Sequence, residues 1–188
     1  MNKIKLETPV FLYPMPMTLV GAMVDGQPNW LAAAWVTPVN YNPLYFGVAL
    51  GKGHHTSKGI RANQQFSISL PGRDLLEKSD FSGLVSGTHN DKSTLFTPFF
   101  GQLEEAPMVR ECPLALECRL VKTVDLPADE FFIGEVVGAW SEERFLSGGM
   151  PDIERMHPFT LTMPDNRYWA VGECIGRAWH EGEKLREE

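Results

Sequence analysis

The first residues with evident chemical use lie around His54-His55-Thr56-Ser57-Lys58-Gly59-Ile60-Arg61-Ala62-Asn63, directly after the break Gly51-Lys52-Gly53. Thr56 or Ser57 can cap a helix here by accepting from the unpaired N–H groups of its first turn, and the same groups can hold a phosphate. Lys52, Lys58 and Arg61 supply balancing charge. The segment reads either as an anion seat or as an ordinary capped helix. A second cluster, Ser86-Gly87-Thr88-His89-Asn90-Asp91-Lys92, sets a lysine on a glycine-containing loop, where it folds over an anion or stays solvated. In a third, Asn29 offers an amide to a heterocycle edge, Trp35 a rigid aromatic surface and Thr37 a hydroxyl; the plainer reading makes Asn29 a turn residue and Trp35 core. The candidate binding set is therefore Asn29, Trp35, Thr37, Lys52, His55, Thr56, Ser57 and Lys92. Together these types suit a planar, phosphorylated cofactor.

Other chemistries find little support. There is no G-x-S-x-G, and none of Cys112, Cys118 and Cys174 has a recognisable catalytic partner. His54 and His55 would point to opposite sides if extended, and no H-x-x-x-H accompanies them, so no metal site is expected. Neither a dinucleotide-binding nor a Walker-type glycine pattern occurs. A net charge of -7 in 188 residues argues against a nucleic-acid surface, which needs clustered cations. No apolar run is long enough to cross a bilayer, and the first residues lack a cleavable hydrophobic leader. An odd number of widely spaced cysteines without C-x-x-C is read as free thiols in a reducing cytoplasm.

These side chains must be placed by short strands and a few helices. Met17–Val24 reads as a strand, Asp25-Gly26 as a hairpin turn, and Trp30–Val36 as the returning strand, with three alanines keeping helix as an alternative. Tyr45–Leu50 is a strand leading to the anion-seat helix. Phe66–Leu70 alternates like a half-buried strand, and the Asp74 to Glu77 spacing of a capping box starts one or two helices over residues 74–86. Residues 87–100 form a functional or interface loop. Leu114–Val121 and Phe131–Trp140 form two further strands joined by Leu126–Asp129, with Gly134 and Gly138 marking bulges or close backbone approach. Tyr168–Val171 is a last strand, and Arg177–Glu188 a solvated helix or frayed end. The fold expected is mainly β with helical insertions: a small barrel formed as one domain by residues 1–188.

The order of the pieces carries more than any one of them. Pro14-x-Pro16, Val20, Asp25-Gly26-x-x-Asn29, Trp35-x-Thr37, Asn42-Pro43, Lys52-x-x-His55-Thr56, Ile60, Asn63 and Phe66 follow in turn. Ser86-Gly87-x-x-x-Asp91-Lys92, Phe132-Ile133-Gly134-Glu135-Val136 and Gly172-x-x-x-Gly176 continue the series. The set resembles the flavin reductase-like family of FMN-binding split barrels, in its flavoredoxin-like branch, over nearly the whole chain. The resemblance implies an FMN-binding split β-barrel, a homodimer, with Asn29, Trp35, Thr56 and Lys92 on the flavin. It also implies electron transfer from NADH or NADPH, or exchange with a redox protein partner. Since FMN carries that chemistry, no catalytic side chain is required. A non-catalytic flavin-binding module is the alternative. One departure is Asp129-Glu130, which stands where such chains often place a histidine.

Overall fold

Asp25 and Gly26 both take positive φ, 50° and 80°, the geometry of a tight two-residue turn. The strands that flank it pair in register, Val20 opposite Leu31 and Val24 opposite Gln27. The computed structural model describes residues 1–7 and 10–186. Its strands are β1 (Met15–Pro16), β2 (Thr18–Val24), β3 (Gln27–Ala33), β4 (Val36–Asn40), β5 (Tyr45–Gly51), β6 (Gln65–Leu70), β7 (Pro98–Phe99) and β8 (Met108–Val109). They continue as β9 (Leu114–Asp125), β10 (Asp129–Ser141), β11 (Leu146–Ser147), β12 (Met150–Pro151), β13 (Phe159–Thr162) and β14 (Arg167–Ala170). The helices are α1 (His55–Asn63), α2 (Leu76–Leu84) and α3 (Ile153–Met156).

The main sheet has seven antiparallel strands in the order β3-β2-β6-β9-β10-β5-β4. Its two edge strands, β3 and β4, are separated in the chain by Ala34 and Trp35 alone, so the sheet must roll until those edges approach. The core records that closure. Leu31 and Ala33 of β3 share one buried cluster with Val36 of β4, Val48 of β5 and Phe132 of β10. This is the expected mainly β, split-barrel architecture with helical insertions. Both glycines of β10 sit at register shifts against β9. A Cβ on Gly134 would lie 2.6 Å from the Phe66 ring, and one on Gly138 2.3 Å from Glu117 Oε1.

Several local expectations are corrected. The Trp30–Val36 run is divided: β3 begins at Gln27 and stops at Ala33, Val36 opens β4, and no helix forms. Strand β6 is buried on both faces rather than one, because a second layer accepts its polar side. Ser67 Oγ donates to the Pro107 carbonyl at 2.6 Å, and Ser69 Oγ accepts from the Val109 N–H at 3.1 Å. A 3-10 turn at Arg73–Leu75 precedes α2, which begins without any side-chain cap, so the Asp74 to Glu77 box does not form. Glu117, which alternation puts on the polar face of β9, is fully buried. It accepts from the Gln102 and Leu103 N–H groups, both at 2.8 Å, and from Trp140 Nε1 at 3.0 Å. The tail holds a 3-10 turn at Glu183–Arg186, while the last two positions of that expected segment, Glu187 and Glu188, lie outside the described residues.

Candidate functional site

Strand β5 ends at Gly51, whose carbonyl accepts from the His54 N–H at 3.0 Å and from Ser57 Oγ at 3.3 Å. That turn starts α1 at His55. The extended residue ahead of it is His54, and no side chain caps the helix, which corrects the expectation that Thr56 or Ser57 would do so. The Ser57 N–H donates to the His54 carbonyl at 3.2 Å, and among the described residues the His55 and Thr56 N–H groups are left for a ligand or water. Thr56 is buried and spends its Oγ1 otherwise, accepting from Asn29 Nδ2 at 2.7 Å. Among the described residues no acceptor takes the Thr56 hydroxyl proton.

Lys92 is only 4 % exposed. Its ammonium donates to the Ser82 carbonyl at 3.0 Å and the Val85 carbonyl at 3.3 Å, closing the C-terminal end of α2. Two hydrogen bonds to neutral carbonyls do not restore a full hydration shell, and burial lowers the Lys92 pKa to about 8. The same recess depresses the neighbouring imidazoles. Desolvation, then the nearby Lys92 charge, holds His54 below the ordinary histidine value, with Asp129 opposing. For His55 the order is desolvation, then Lys58, with Asp25 opposing and Lys92 adding a smaller depression.

These groups line connected hollows. One of about 220 Å³ lies between the start of α1 and the end of α2, walled by His55, Thr56, Val85, Gly87 and Lys92. A second of about 410 Å³ shares His55, Gly87 and Lys92 and adds Asn29 and Asp25. A third of about 320 Å³ meets the first at Gly83 and Leu84 and is lined by Met17, Ala32, Ala34, Met163 and Tyr168. Together they make a trough along β3, one edge of the sheet, polar at the α1 end and apolar toward Ala34. Close approach at its centre depends on Gly87, since a Cβ there would fall 2.3 Å from Asn29 Oδ1. An edge strand adds unpaired backbone N–H and C=O groups to one wall.

The structure brings Asn29, His55, Thr56 and Lys92 together. Trp35 follows Ala34 at the apolar end, 42 % exposed and stacked on Phe11 at 5.9 Å. Thr37 lies exposed on β4, and Ser57 is fully buried under α1. Neither lines the trough. Lys52 pairs with Asp125 at 2.6 Å, Lys58 with Asp25 at 2.7 Å, and Arg61 with Glu130. The three cations read as balancing an anion therefore each have a carboxylate partner, and the unbalanced cation of the recess is Lys92. Leu84 and Val85 were not singled out in the sequence. Their place follows from where α2 ends, which no local pattern announces. Among the described residues, no three His, Cys, Asp or Glu side chains converge on a metal position, and no helix is long and apolar enough to cross a membrane.

Comparison with known proteins agrees with this architecture. The family described as "Flavin reductase like domain" matches residues 10–158. The chain is similar to the flavoredoxin of Methanosarcina acetivorans, at 49 % identity and a TM-score of 0.96 over 98 % of this chain and 100 % of that one. It is also similar to the flavoredoxin of Desulfovibrio vulgaris (Miyazaki F), at 33 % identity and 0.90 over 97 % and 100 %. An FMN-binding protein from Thermus thermophilus, at 23 % identity and a TM-score of 0.81 over 94 % and 100 %, shares the fold.

Proposed function

The chain belongs to the flavin reductase-like family of FMN-binding split-barrel proteins, and from that premise we propose that it binds FMN along the β3 trough and acts as an FMN-dependent oxidoreductase. The observation that carries the reading is the buried Lys92 ammonium beside the uncapped start of α1 and the Asn29–Thr56 pair. A terminal phosphate fits there: the His55 and Thr56 N–H groups and the Thr56 hydroxyl would donate to it, and its charge would compensate Lys92. Asn29 orients the ribityl or ring portion, with Trp35 beside the apolar end. Bound FMN supplies the electron-transfer chemistry, so the protein's task is to bind, orient and limit access to water.

Electrons enter from NADH or NADPH, or from a redox protein partner. Likeness to two flavoredoxins favours, as a second reading, a carrier that exchanges electrons only with proteins. Anaerobic addition of NADH and of NADPH to the FMN-loaded protein, followed by steady-state oxidation, separates the two. Bleaching with turnover supports the reductase; an unbleached flavin excludes it, and reduction by a low-potential redox protein then separates the carrier from a non-catalytic module. A Lys92→Ala, Thr56→Ala double variant that retains FMN as the parent does would refute the phosphate seat.

We take residues 1–188 as one domain working as a homodimer. Past Val36, strand β4 is exposed on both faces, followed by Tyr41 and Leu44, also exposed, which suits cover by a second copy. Cys112, Cys118 and Cys174 are free thiols, which suits the cytoplasm.

A further inference from the structure

After β14 the chain stays beside the barrel only as far as Glu173, which lines a groove with Ile153 and His157. From Cys174 to Arg186 every described side chain is exposed, Ile175 at 94 % and Trp179 at 97 %. The hydrogen bonds of this stretch among the described residues are local to it. The Arg177 carbonyl accepts from the His180 and Glu181 N–H groups, Glu181 Oε1 accepts from the Arg177 N–H, and His180 lies 3.3 Å from Glu183. The segment is thus shaped, by a turn and the Glu183–Arg186 3-10 helix, yet it is not fastened to its own barrel. An indole and a branched aliphatic chain held in water on a preformed strap forgo the stabilisation that cover would bring.

We propose that residues 174–186 form an arm that packs on the barrel of a second copy of this chain, with Ile175 and Trp179 as its anchors. The inference rests on the two-copy reading above. Its counterpart is carried by the same sequence: the exposed β4 face, with Val39, Tyr41 and Leu44. An arm and an apolar face on one chain are self-complementary, and a two-fold axis uses each pair twice. Size agrees as well. The arm alone supplies roughly a dozen residues, about half of an interface of standard size, and arm plus receiving strand on each subunit completes it. Charge does not oppose the pairing. In a chain of net charge -7, Arg177, Lys184 and Arg186 outnumber Glu181 and Glu183 in the sequence of the arm, so a second acidic copy does not repel it.

The test compares the full chain with a truncation after Glu173 and with the Ile175→Ala, Trp179→Ala double variant, each by sedimentation over a concentration series without added flavin. The emission of Trp179 is read as the difference between the parent and Trp179→Phe. The arm is supported if both variants weaken dimerisation by about a hundredfold, the scale expected on losing two large apolar anchors, and if the Trp179 emission is that of a buried indole in the dimer. A dimer of unchanged affinity in both variants, or a Trp179 spectrum of a solvated indole at every concentration, overturns the arm and leaves the two-copy reading standing. A full chain that stays monomeric throughout overturns both.

Discussion

An ammonium enclosed by protein titrates where its surroundings dictate, and Lys92 shows this most clearly. Its folded pKa of about 8 lies below the ordinary 10.5, so between those values the unfolded chain holds more protons. Stability from this group therefore rises with pH through that window and is lower below it, where the buried charge must be kept. A bound phosphate reverses the preference by stabilising the charged form. FMN binding should then take up protons near and above pH 8, and affinity should fall as pH climbs past that value. Titrating FMN at a series of pH values checks this, and Lys92→Met should flatten the alkaline limb. The same variant should lower affinity by roughly ten- to a hundredfold, the usual worth of a charge-assisted hydrogen bond. His54 and His55, both held below the ordinary histidine value by desolvation first, add a second rise in affinity as pH falls through their range. Some of this was readable in the sequence: Asn29, Thr56 and Lys92 stood out as polar candidates for a phosphorylated planar ligand, and the fold brings them together. The depressed titration of Lys92 was not, because it arises from burial, which only the folded chain supplies.

At the scale of elements, strands and turns followed from alternation, the Asp25-Gly26 turn and the glycines of β10. These signals are local, so they survive without knowledge of partners. Burial of polar side chains needs the partner. Ser67 and Ser69 look solvent-facing in an alternating strand, yet the layer carrying Pro107 and Val109 covers them. Glu117 is the extreme case, since its two oxygens fasten residues 102 and 103 and the Trp140 indole to β9. Replacing Glu117 by Ala leaves three donors without their acceptor and should destabilise the protein by about 3 kcal/mol or more. Urea unfolding measures this, and loss below about 0.5 kcal/mol, the scale of an inert surface change, would contradict the latch. Gly138→Ala should also destabilise, because the added methyl would sit 2.3 Å from Glu117 Oε1.

For the whole molecule, the decisive event is the roll of one seven-stranded sheet until its β3 and β4 edges approach, with β3 left as the wall of the trough. Ligand linkage follows from that placement. FMN should raise the melting temperature, by the equivalent of about 2.7 kcal/mol at a hundredfold excess over its Kd. Riboflavin, lacking the phosphate, should raise it clearly less; equal shifts would argue against the seat at α1. Composition, alternation and the ordered motifs were enough for a mainly β barrel, for the family and for a phosphorylated planar ligand, because those properties are written in residue type and spacing along the chain. The fold alone decided which cations remained unbalanced. Lys52, Lys58 and Arg61 found carboxylates far away in sequence, Asp125, Asp25 and Glu130, while Lys92 met only carbonyls. Charge pairing depends on distance in space, which spacing along a chain does not set once the sheet has rolled.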